Sequence, residues 1–219
     1  RPRRARQPPP TPTAKMEGLA LTAEHAVRGK LAAVTAGYWI DSYARCVAGS
    51  SAFDGSPGPL INRGQYARVA AIGSIVEQFL AATAGSPSQI VSLGAGYDTM
   101  YWQLHAANAA PRLYVELDQD EVVQRKCAMI STKPALKRAL EPGADARVTP
   151  SGVTGGPDAE AGGYRLLSCN LNSVERLEKA LASAGWSAGE PTLVIAECVL
   201  VYLVPDASKA ILDFFGRQC

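Results

Sequence analysis

The sequence predicts an α/β fold: a parallel sheet with helices packed on both faces. Three observations carry that prediction. From about residue 89 onward, short apolar runs alternate with helical segments, an order that demands crossover connections and therefore parallel strands. The first of these runs closes on Gly94 and Gly96 and passes straight into a helical pattern. The chain has 219 residues, 47% apolar and 19% charged, enough for one good-sized core and too ordinary for chain-wide disorder.

Residues 1–15 contain Arg1, Arg3, Arg4, Arg6 and Lys15, five prolines and no acid. Such a stretch cannot offset its own ordering entropy, so residues 1–18 are read as a disordered basic tail and 19–219 as the folded domain. The sequence does not begin with Met, and an Arg-rich leader lacking serine is read as a plain tail rather than a transit peptide. The tail's charge of +5 against +2 for the whole chain leaves the body at −3, which disfavours a nucleic-acid-binding surface. Five widely spaced cysteines without a CxxC pair predict free thiols in a reducing, cytoplasmic setting. With only His25 and His105, no metal-ligand cluster and little scope for Ser-His-Asp chemistry are expected. No run approaches the roughly 20 apolar residues of a membrane span.

The elements follow in chain order. Residues 20–46 have helical spacing, with Val27, Leu31 and Val34 on one face. Residues 47–63 form a Gly-, Ser- and Pro-rich loop, after which Asn62 is expected to cap a second helix striped by Val69, Ile72, Ile75, Val76, Phe79 and Leu80. Residues 89–94 are the first strand and 99–107 a helix; 112–118 are the second strand and 121–130 its helix. Residues 141–163, rich in Gly and Pro, are predicted to be a long surface loop. A third strand at 164–171, a helix at 174–184, a fourth strand within 191–203 and a helix at 208–215 complete the pattern.

Glycine at 94 and 96 permits a tight turn and close approach of a ligand to the main chain. Glu116 and Asp118 follow 22 and 24 residues after Gly94, at the end of the next strand, where a nucleotide-binding crossover unit places the acid that contacts ribose hydroxyls. The third glycine of a pyrophosphate loop is missing, which favours a nucleoside without phosphates, such as S-adenosyl-L-methionine, over a dinucleotide. Lys30 and Arg68 interrupt the apolar stripes of their helices, so each needs an anionic partner or must snorkel to water. Glu197 stands within an apolar segment at the carboxyl end of the fourth strand, the edge where ligands bind in open parallel sheets. Asn170, at the same edge of the third strand, offers a donor and an acceptor to an adenine rim.

Taken together, GYW (37–39), INRGQYARV (61–69), IVSLGAGYDTMYWQL (90–104), YVELDQDEVVQRK (114–126) and IAECVLVYL (195–203) resemble the leucine carboxyl methyltransferase family. The resemblance implies a Rossmann-like methyltransferase that uses S-adenosyl-L-methionine to methylate the C-terminal leucine α-carboxylate of the type 2A protein phosphatase catalytic subunit. It implies cofactor contacts from Lys30, Arg68, Gly94, Asp118 and Glu197; the reading of the residues adds Gly96, Glu116 as the alternative ribose acid, and Asn170 and Leu171 around adenine, with Tyr202 as the candidate to contact substrate. Asn170 stands where the family has aspartate, and Asn172 where it has arginine. A sister branch, the wybutosine carboxyl methyltransferases of transfer RNA, is also similar; the unbroken AECVLVY segment and acidic body favour the protein-modifying branch. The family's full-length members are expected to be monomers, and its sheet continues past the point where this sequence stops, which predicts that C-terminal strands are missing here. The rival readings are a nicotinamide-dependent oxidoreductase and a truncated fold that binds cofactor without turnover.

Overall fold

The computed structural model describes residues 12–48, 57–140, 147–156 and 163–218, with residues 12–20 as backbone only. The tail through residue 11 lies outside the described residues, and the first helix, α1 (Pro12–Thr35), begins within the stretch predicted to be tail. It also stops earlier than its apolar spacing predicts. Gly37 adopts φ +80°, and the bonds Gly37 N–H to Val34 O and Tyr38 N–H to Ala33 O close a left-handed cap that ends the helix. Asp41 then accepts from the main-chain amides of Tyr43 and Ala44, starting the short α2 (Ala44–Val47). The next helix, α3 (Pro59–Ala82), has proline at its first position. The expected cap, Asn62, instead lies buried within the first turn, where its amide donates to Pro57 O.

The alternating region folds as β1 (Gln89–Leu93), α4 (Met100–Ala106), β2 (Leu113–Asp118), α5 (Asp120–Thr132) and the short α6 (Pro134–Arg138). There follow β3 (Arg147–Thr149), β4 (Gly152–Gly155), β5 (Gly163–Ser168), α7 (Val174–Ser183), β6 (Thr192–Ile195), a 3-10 turn (Leu200–Tyr202) and α8 (Pro205–Gln218). The sheet order is β3-β4-β5-β2-β1-β6, with β5, β2, β1 and β6 mutually parallel. The first and fourth predicted strands are neighbours, with Val91 opposite Val194. Where a long loop is predicted at 141–163, the described part is an antiparallel hairpin, β3-β4, added to the edge of β5. Residues 141–146 and 157–162, like 49–56 of the other predicted loop, lie outside the described residues.

Period-two alternation divides the core. Ile90 and Tyr114 point to the face covered by α1, α3, α4 and α5. Val91, Leu93, Leu113, Val115 and Leu117 point to the face covered by Leu177 and Leu181 of α7 and Ile211, Phe214 and Phe215 of α8. Both faces are thus buried, as parallel sheets require.

Candidate functional site

The carboxyl ends of β1, β2, β5 and β6 open into a cleft of about 650 Å³, within the range of small-molecule sites. Its floor is the loop after β1. Gly94 and Gly96 both take left-handed conformations, with φ +59° and +54°. Gly94 N–H donates to Leu117 O at 2.7 Å, and Gly96 N–H donates to the Asp118 carboxylate at 2.6 Å. Asp118 therefore holds the loop while lining the cleft itself. Burial raises its pKa above the ordinary value, outweighing the Gly96 and Gln119 amides that favour its charge.

Two helices form the roof. At Gly29 of α1 the side-chain amide of Gln65 from α3 fills the space, 2.7 Å from where a Cβ would stand, so the two helices meet through Gln65 lying over Gly29. Lys30 is the next residue on α1, and Arg68 stands one turn after Gln65. The crossing carries both cations to the cleft, where each meets Glu197 from the end of β6. Lys30 Nζ lies 2.9 Å from Glu197 and 3.3 Å from Asp98. Arg68 Nε approaches Glu197 Oε1 to 2.7 Å, an ion pair bent out of hydrogen-bond alignment, while its guanidinium also donates to Gln65 and Cys198. Burial pulls the Lys30 pKa down, but the Asp98 and Glu197 carboxylates more than reverse this and raise it. Burial likewise pushes Asp98 up, and Lys30 and Lys126 bring it below the usual carboxylate range. Two cations and two carboxylates from four separate segments thus meet at one end of the cleft.

Of the expected residues, Lys30, Arg68, Gly94, Gly96, Asp118, Leu171, Glu197 and Tyr202 line the cleft. Glu116 and Asn170 do not. Glu116 is fully buried beneath the loop, accepting from Lys126 and Tyr164, so the strand-end acid available to a ligand is Asp118. Asn170 is exposed, and its carbonyl accepts from the main-chain amide of Asn172, as a strand-end turn residue does. At Gly94 the space beside the Cα is taken by this chain's own Val199, whose Cγ2 would lie 2.5 Å from an added Cβ. Asp98, Gln65, Asp41 and Thr99 also line the cleft without having been expected there. Thr99 donates to Asp41 at 2.6 Å, tying the segment that leads into α2 to the start of α4. Among the described residues there is no group of three or more His, Cys, Asp and Glu placed to hold a metal ion, and no helix long and apolar enough to cross a membrane.

A family profile described as "Leucine carboxyl methyltransferase" matches residues 22–216. The chain is 36% identical over 196 residues to "Leucine carboxyl methyltransferase 1 homolog" of Arabidopsis thaliana, covering 90% of this chain and 56% of the relative. It is 35% identical over 202 residues to "Leucine carboxyl methyltransferase 1" of Bos taurus, covering 92% and 59% respectively. It is 36% identical over 165 residues to human "tRNA wybutosine-synthesizing protein 4", covering 73% of this chain and 23% of that protein. The chain thus spans little more than half the length of the leucine carboxyl methyltransferases it matches. The profile takes in all the parallel strands and the helices that carry the cleft's charged residues, and on that ground the chain belongs to the leucine carboxyl methyltransferase family.

Proposed function

We propose that the cleft binds S-adenosyl-L-methionine and serves methylation of a protein C-terminal leucine α-carboxylate, that of the type 2A protein phosphatase catalytic subunit. The observation that carries this reading is the paired charge at one end of the cleft. Lys30 and Arg68 suit an α-carboxylate, and Glu197 and Asp98 suit an α-ammonium. The rest of the cleft fits the same cofactor: Asp118 offers a carboxylate to ribose hydroxyls, and Cys169 and Leu171 give an apolar wall beside it. When bound, the cofactor supplies a methyl group on a positively charged sulfur. The chain's task is placement, because a substrate carboxylate is already ionised at neutral pH and needs no base. Holding the reactants in line and excluding water can supply about 7–11 kcal/mol of such a barrier. Tyr202, 54% exposed at the mouth of the cleft, is placed to meet the incoming substrate. Free thiols at Cys46, Cys127, Cys169 and Cys198 support a reducing, cytoplasmic setting.

Similar identity to the wybutosine relative gives the second reading, a carboxylate on transfer RNA. Thermal unfolding with S-adenosylhomocysteine or NAD tests the cofactor: the first should raise the melting temperature and the second should leave it unchanged. Transfer of labelled methyl to a leucine-terminated peptide, its C-terminal amide and transfer RNA tests the substrate. Labelling of the free-acid peptide alone is the expected result; labelling of the RNA alone would replace this reading by the second.

A further inference from the structure

Beneath the cleft lies a group that the cofactor reading does not use. Lys126 of α5 is fully buried, and its ammonium is satisfied in three directions. It donates to the main-chain carbonyl of Asp98 at 2.8 Å and to Glu116 at 2.5 Å, and it lies 5.3 Å from the centre of the Trp102 ring. Tyr164 donates to the same Glu116 oxygen at 2.6 Å. Burial raises the Glu116 pKa, outweighing the Lys126 ammonium and the Tyr164 hydroxyl that favour its charged form.

The Asp98 carbonyl is a significant place to hold. The 94–99 loop is fastened on its β2 side through Leu117 O and Asp118; Lys126 fastens its far end. Asp98 is gripped at both ends, its carbonyl by Lys126 and its carboxylate by Lys30. A continuous chain of polar contacts therefore runs from Tyr164 through Glu116, Lys126 and Asp98 to Lys30 and Glu197.

We infer that Lys126 is a positioning residue: by holding Asp98 at the far end of the glycine loop, it sets where Lys30 presents its charge to the amino-acid end of a bound ligand. The inference rests on the cofactor reading above. A buried ion pair is weak evidence for stability by itself, since an apolar or neutral pair of similar volume often serves as well. Positioning is a separate property, and it can be measured separately.

Three proteins decide it: the chain as given, Lys126→Met, and Lys126→Met combined with Glu116→Gln. The single change strands a buried carboxylate and lowers the melting temperature. The double change removes both charges, leaves Tyr164 an acceptor and recovers most of that loss; it decides the matter even if the single variant does not fold. Affinity is measured by calorimetry for S-adenosylhomocysteine and for 5′-methylthioadenosine, which has the nucleoside without the amino-acid end. The double variant should bind S-adenosylhomocysteine at least about tenfold more weakly, as loss of an orienting outer contact typically does, and 5′-methylthioadenosine nearly as before. Recovery of both stability and S-adenosylhomocysteine affinity would make Lys126 structural only and overturn the inference. Equal losses for both ligands would also overturn it, since the effect would not run through Asp98 and Lys30. Failure of the unchanged chain to bind either ligand would instead overturn the cofactor reading, and this inference with it.

Discussion

Gly94 and Val199 illustrate how one missing side chain brings two strand ends together. Gly94 turns the chain into the left-handed region just after β1, and Val199 packs into the space a Cβ would fill, two residues beyond Glu197. Cys198, between Glu197 and Val199, also has a positive φ, +55°, so the link leaving β6 holds strain of its own. Gly94→Ala should therefore injure the fold before it injures binding. The left-handed backbone costs an L-residue about 1–2 kcal/mol, and displacement of Val199 adds to this. Denaturant unfolding should show a loss of about 2 kcal/mol or more. Val199→Ala in the same background should recover the steric part and leave the backbone part. An equally stable Gly94→Ala chain would mean that Val199 moves aside freely.

At the scale of elements, Gly37 does for α1 what Gly185 does for α7, closing the helix with the same pair of main-chain bonds. Gly37→Ala should cost about 1 kcal/mol in urea unfolding, with the loss centred on α1 by hydrogen exchange. No loss would show that Asp41 and Thr99 suffice to turn the chain there. The helices over 121–130 and 174–184 and the four parallel strands were legible because apolar spacing reports burial directly. The β3-β4 hairpin was not, because main-chain pairing to β5 organises it and Val148 and Val153 are the only apolar side chains its described strands offer; Gly152 and Gly155 leave little pattern to read. In the site, Lys30, Arg68 and Glu197 were legible as charges in apolar surroundings. The same signal marks Lys126, between Val122 and Ile130 on the buried face of α5. Parity alone could not separate Glu116 from Asp118, since only the lysine opposite Glu116 commits that acid to the core. Asp98 lies in a loop, where no periodicity exists to violate.

For the whole molecule, one side of the sheet ends on β6, whose described residues are all half-buried and whose neighbour among the described strands is β1. Nearby, Val201 is 81% exposed, and Val204 and Leu212 are also open to solvent. Exposed strand edges beside apolar surface recruit other chains. The 219-residue chain should therefore elute from size-exclusion chromatography as a concentration-dependent oligomer, and Val201→Lys with Val204→Lys should shift it toward monomer. A monomer at every concentration would show this edge to be innocuous. The ion pair between Lys30 and Glu197 joins residues 167 positions apart, from the first helix to the last strand. A contact this far apart in sequence requires α1 and β6 to have been brought together across most of the chain, so this pairing belongs to the late stages of folding. On the ribosome, Lys30 meets Asp98 first and waits for Glu197 until nearly the whole of this sequence has been made. A nascent chain halted before Glu197 can already possess the glycine loop, Asp118 and α1, with Asp98 set against Lys30, and still lack the carboxylate that joins its two roof cations.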